Sequence, residues 1–174
     1  MQKTEARTTS TVIQPPVWQC HAWFWGIAIL GVILDLWSKY SVFAWMNAKG
    51  IDEYKLIEGF LSVVMRENAG AAFGIAEGQR ILLIVFAATA MAGITGYLIW
   101  GRIRDKVMCA ALGLFMGGAA GNLYDRLFNN GMVRDFIDVH WRGWHWPAFN
   151  VADSLLCIAM GIFLAKSFLT GRPS

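Results

Sequence analysis

Five aspartates hold most of the chemical potential of this chain: Asp35, Asp125, Asp135, Asp138 and Asp153. Two carboxyl groups sharing one proton can activate a water and polarise a carbonyl together, because close like charges cannot both ionise cheaply. Such a pair could hydrolyse a carbonyl compound without a metal, but the acids by themselves do not name a reaction. Each acid also has a reading with no chemistry in it. Asp35 and Lys39 stand four residues apart in the favourable order for a pair along one helix. Asp125 and Arg126 could form a charged helix stop. Asn150 with Asp153 has the spacing of a capping box, and an acid in a first turn suits the positive end of a helix. Asp135 and Asp138 could be solvated loop acids. Asp138, His140 and His145 invite a metal reading, yet the segment 139–147 (VHWRGWHWP) carries three tryptophans, which favour membrane interfaces. A belt loop dipping into the headgroups accounts for it better, and no metal is expected.

These groups need elements to position them, and the composition says which kind. Of 174 residues, 56% are hydrophobic and 16% charged, where soluble domains carry roughly a quarter charged. The apolar excess asks for lipid as solvent. Residues 81–100 and 107–123 contain no charge. With about 20 residues needed per crossing, four spans are expected at about 22–42, 80–101, 106–127 and 150–170. Residues 1–20 read as a flexible cytoplasmic tail, and 21–174 as one membrane-embedded domain. Gly113, Gly117 and Gly121 make a ridge for close helix packing on the third span.

Charge placement gives the orientation. Arg102, Arg104 and Lys106 face only Asp105 in one short connection, and the tails hold Lys3, Arg7, Lys166 and Arg172 against Glu5. The opposite side mixes both signs. Both termini are therefore expected in the cytoplasm, with segments 45–79 and 128–149 outside. Asp35, Asp125, Asp135, Asp138 and Asp153 then gather at the outer membrane face. Acids at membrane depth default to functional suspects. In the first outer segment, 56–65 (LIEGFLSVVM) is rich in strand formers and suggests a small sheet on the bilayer surface. The stretch 68–74 (NAGAAFG) permits close backbone approach. The fold class expected is an all-α membrane protein with a small β element.

Several functions are disfavoured. The basic residues are scattered, unlike a nucleic-acid footprint. Cys20, Cys109 and Cys157 form no CxxC pair and no zinc-ligand spacing. A small proton-coupled membrane carrier is the main alternative, but its polar residues should trace a path to both sides rather than one outer layer.

The blocks Asp35-Leu-Trp-Ser-Lys39, 68–74 (NAGAAFG), 118–126 (GAAGNLYDR), 133–136 (VRDF) and 149–153 (FNVAD) occur in this order. Together they resemble the sequence blocks of lipoprotein signal peptidases (signal peptidase II), a family of aspartyl membrane endopeptidases. The likeness runs from about Asp35 to Ser154; the longer polar N-terminal tail is a mild departure. It implies that Asp135 and Asp153 are the catalytic dyad and that Asp35, Asn68, Asn122, Arg126 and Asn150 shape or contact the substrate site. Lys39, Gly70, Asp125 and Ala152 fall to structural support. It further implies a diacylglyceryl prolipoprotein substrate cleaved on the amino side of the lipidated cysteine. No cofactor is implied. By the same resemblance membrane lipid would surround the enzyme, in the bacterial cytoplasmic (inner) membrane with the site at the extracytoplasmic face, and globomycin-like cyclic peptides would inhibit it. The dipole of the fourth span favours an ionised Asp153 as base. Arg126 could orient a neighbouring carboxylate through a bidentate pair.

Overall fold

The structure, a computed structural model, describes residues 16–70, 78–101 and 103–170. Four helices are each long and apolar enough to cross a membrane: α1 (Val17–Lys49), α2 (Arg80–Trp100), α3 (Lys106–Phe128) and α4 (Val151–Thr170). The outward faces are apolar, with Trp23, Ile29, Ile33, Phe86, Leu164 and Phe168 all exposed. Such a surface suits lipid rather than water.

Helix ends follow local chemistry. α1 begins directly after Pro16, which is extended at φ −67° and ψ 147°. Residues 17–20, expected in the tail, therefore belong to the helix; the earlier tail lies outside the described residues. α1 also runs past the expected end, stopping where Gly50 takes φ 64° and its N–H returns to the Asn47 and Met46 carbonyls. Left-handed backbone of this kind is cheap only for glycine. Asp105 caps α3, its carboxylate accepting from Val107 N (3.0 Å) and Met108 N (3.3 Å), and it pairs with Lys166.

α3 is the central helix, packing on α1, α4 and α2. A Cβ on Gly113 would stand 2.6 Å from the Phe24 carbonyl oxygen, and one on Gly117 would stand 2.9 Å from that of Ala28. One on Gly121 would collide with the Asp35 carboxylate. The glycine ridge thus faces α1. Gly118 looks the other way, where a Cβ would lie 2.5 Å from the Ala152 carbonyl oxygen of α4. A disulfide between Cys20 and Cys109 ties α1 to α3. Its partners are 89 residues apart in sequence, so no local spacing announces it.

A four-stranded antiparallel sheet, in the order β1-β2-β3-β4, joins the helices at one end: β1 (Glu53–Ile57), β2 (Leu61–Asn68), β3 (Val133–Trp141) and β4 (Trp144–His145). The strand-rich 56–65 stretch lies across the β1–β2 hairpin and so belongs to the small sheet expected there. The 128–149 segment is more than a loop: Asp135 and Asp138 lie on β3. Charges at 134, 135 and 138 interrupt the run of Val133, Phe136, Ile137, Val139 and Trp141 and hide the strand from simple alternation. β3 and β4 are joined by Arg142 (φ 51°) and Gly143 (φ 82°), the positive pair that a tight two-residue hairpin turn requires. Residues 71–74 of the small-residue stretch lie outside the described residues.

Candidate active site

The first turn of α4 supplies half of the site. Asp153 N donates to Asn150 Oδ1 at 3.0 Å, and Asn150 N donates to Asp153 Oδ2 at 3.2 Å. This is the reciprocal capping box that the spacing allows, so the structural reading of Asp153 is realised. It does more than cap. With Asn150 Oδ1 committed to the helix, its amide nitrogen points away and donates to Asp135 Oδ1 at 2.7 Å. One asparagine thus donates to both carboxyl groups, to Asp135 from its side chain and to Asp153 from its backbone.

β2 and β3 supply the other half. Asn68 pairs with Val133 across the sheet, and Asp135 lies two residues along on the same face. Asn68 Nδ2 reaches Asp135 Oδ2 at 3.2 Å. Asp135 is almost fully buried. Its carboxyl is pushed up to about 7, first by burial and then by the Asp153 charge, against the pull of the Asn68 and Asn150 hydrogen bonds.

α3 orders the junction. Lys39 Nζ donates to Asn122 Oδ1 at 3.0 Å, which turns the Asn122 amide nitrogen onto Asp153 Oδ1 at 2.8 Å. Lys39 also lies 2.7 Å from Asp35 Oδ2 and 3.2 Å from Asp125 Oδ2. The expected pair along α1 exists, but within a larger knot. Asp35 Oδ1 accepts the Ala152 N–H at 2.8 Å and so holds the start of α4. Asp125 grips β3 through Arg134, which donates from Nη2 (2.6 Å), Nε (3.2 Å) and backbone N (3.0 Å). Buried charges survive only when so satisfied. Arg134 was not singled out from the sequence; its place before a candidate acid was the available signal.

A cavity of about 510 Å³ opens beside the acids. Asn68, Gly70, Asn122, Arg126, Asp135 and Asp153 form its polar end, while Leu83, Phe86, Ala87, Ala90, Phe115 and Leu156 make an apolar limb between α2, α3 and α4. Asp35 and Asn150 are fully buried and are not among the lining residues, so they shape the wall from behind. Arg126 departs from the expected carboxylate fork. Its Nη2 donates to the Gly70 carbonyl at 2.9 Å and Nη1 to that of Asn122 at 3.4 Å. The fork on an acid belongs to Arg134. Asp138 stays outside this constellation, with its Oδ2 3.3 Å from Nδ1 of both His140 and His145.

A family model described as signal peptidase (SPase) II matches residues 27–169. The chain belongs to this family. It is 39% identical over 163 residues to the lipoprotein signal peptidase of Rhodopirellula baltica, covering 85% of this chain and 72% of that one. The lipoprotein signal peptidase of Halalkalibacterium halodurans is 36% identical, covering 85% and 93%. A solved bacterial membrane enzyme superposes with a TM-score of 0.72 at 30% identity, covering 85% of this chain and 90% of its own. With its four apolar helices, this signal peptidase II family member is a multi-pass membrane protein.

Proposed function

We propose that this chain is an aspartic endopeptidase that removes the signal peptide from diacylglyceryl prolipoproteins, with Asp135 and Asp153 as the catalytic dyad. The observation that carries the reading is that Asn150 donates to both carboxyl groups, its side-chain amide to Asp135 and its backbone N–H to Asp153, with the two acids at the polar end of an apolar cavity. Asp153 accepts the Asn122 amide and the Asn150 N–H at the start of α4, donors that suit its anionic form. It takes a proton from water, and the hydroxide attacks the scissile carbonyl. Asp135, held protonated by burial beside that charge, donates to the carbonyl oxygen. The tetrahedral intermediate collapses as the proton on Asp153 passes to the leaving amine and Asp135 recovers its own. The C–N bond breaks on the amino side of the lipidated cysteine.

The apolar limb suits the acyl chains, which keep the scissile bond at the depth of the dyad. Asn68, Asn122 and Arg126 are placed to bind substrate backbone at the polar end. The acids sit at the extracytoplasmic face of the inner membrane with both termini cytoplasmic, as the basic 102–106 connection supports. A globomycin-like cyclic peptide would compete for the same cavity.

The test is purified protein in detergent with a diacylglyceryl prolipoprotein, followed by the mobility of the released product. Asp135→Asn and Asp153→Asn should each lose at least about a thousandfold in rate while the helical spectrum is retained. Near-normal processing by either variant removes the dyad.

A further inference from the structure

A second constellation lies outside the dyad, on the β3–β4 hairpin. Asp138 and His140 are two apart on β3 and share one face, and His145 is the cross-strand partner of His140. The tight turn at Arg142 and Gly143 sets that register. The sequence alone favoured a tryptophan belt loop here; the hairpin instead brings the three side chains together.

Their spacing is the informative part. Asp138 Oδ2 lies 3.3 Å from His140 Nδ1 and 3.3 Å from His145 Nδ1. Charged or short hydrogen bonds close to about 2.7–3.0 Å, so these are slack. His140 Nδ1 is buried and makes no hydrogen bond among the described residues. The two imidazoles stack with centroids 5.0 Å apart, and all three candidate ligand atoms lie within 4.8 Å of one another. A tetrahedral zinc ion with ligands roughly 2.0–2.1 Å away separates neighbouring ligand atoms by about 3.3 Å. The slack contacts match two edges of that tetrahedron. Asp138 and His145 also line an outer cavity with Glu53 and Glu67, against one arginine, Arg66. That balance of charge favours a cation.

We propose that Asp138, His140 and His145 form a binding site for a divalent transition metal ion of the zinc class, with the fourth position open to water. The ion would clamp β4 onto β3, a contact otherwise made by two residue pairs. Residues 146–149 run on from β4 and line the main cavity, so the clamp would steady one lip of it.

The test needs no substrate, so its outcome is separate from that of the peptidase reading. Purified full-length protein without any polyhistidine tag is titrated with Zn²⁺ against a chromophoric chelator, and with Co²⁺ while visible absorption is recorded. One equivalent should bind, and the cobalt form should show the intense bands of a tetrahedral site. His145→Ala, at an exposed position, and Asp138→Asn should each weaken binding by at least about tenfold. His21→Ala, on α1 and outside the cluster, should leave it unchanged. Absence of a saturable equivalent up to about 100 μM, or equal affinity in wild type and His145→Ala, would overturn the site and leave only a loose Asp–His cluster.

Discussion

At the scale of single residues, Asp135 is the group whose ionisation the fold controls most visibly. Its carboxyl, raised to about 7 by burial and by Asp153, stays protonated below that pH. In the proposed role of catalytic acid it must carry the proton, so kcat/KM should fall as pH rises through about 7. A profile flat from 6 to 9 would contradict that role. The sign of the stability linkage follows the same way. A raised carboxyl favours the folded state below its unfolded value near 4, and that contribution is lost as pH climbs to about 7. In Asp153→Asn the neighbouring charge is gone, so the Asp135 carboxyl infrared band should titrate at lower pH than in wild type. Asn150 separates two roles in one side chain. Asn150→Ala loses both the cap and the donor to Asp135, and should cost about 1 kcal/mol of stability and about a hundredfold in rate. Asn150→Ser can restore the cap but has no amide to reach Asp135, so stability should return without activity. Recovery of both would show that Asn150 acts only through the helix. The two halves of this residue's work differ in legibility. Asn150 and Asp153 three apart announce a capping box, whereas the turn of the amide onto a strand residue is visible only in three dimensions.

At the scale of elements, the spans were readable because uncharged stretches of this length have few other uses, and the glycine ridge because its spacing stays on one helical face. β3 was not readable. Arg134, Asp135 and Asp138 break its apolar run because each has a partner that composition does not name: Asp125 for Arg134, Asn68 and Asn150 for Asp135, the histidines for Asp138. Site residues are where local rules are expected to fail. Helix approach and site order are coupled at Gly121, whose added Cβ would strike the Asp35 carboxylate that holds the Ala152 N–H. Gly121→Ala should therefore lower the unfolding temperature by several degrees and reduce processing, although alanine is the better helix former. Gly26→Ala is the matched control, since nothing lies within 4 Å of its Cβ position. It should be neutral or slightly stabilising. Equal behaviour of the two variants would mean that α1 and α3 are not in close contact at this level.

At the scale of the whole molecule, the layer of acids at one end of the bundle was legible from their placement relative to the spans. The cavity was not, because it is a gap between α2, α3 and α4 that no single segment encodes. Under the proposed function its two ends would take different parts of one substrate: a peptide bond at the acids, and hydrocarbon along Phe86, Ala87, Ala90 and Phe115. Ala87 and Ala90 matter because small side chains on α2 leave the room. Ala90→Trp should fill part of the apolar limb and leave the hydrogen bonds around Asp135 and Asp153 untouched. Since α2 otherwise faces outward with little of it buried, the larger side chain should be tolerated by the fold. The expected outcome is a fall of at least about tenfold in kcat/KM for the diacylated substrate, with the infrared titration of Asp135 unchanged. That combination would place the acyl chains in the limb and separate their binding from the chemistry. If Ala90→Trp processed the lipidated substrate at the wild-type rate, the hydrocarbon would have to lie elsewhere, on the lipid-facing surface of the helices.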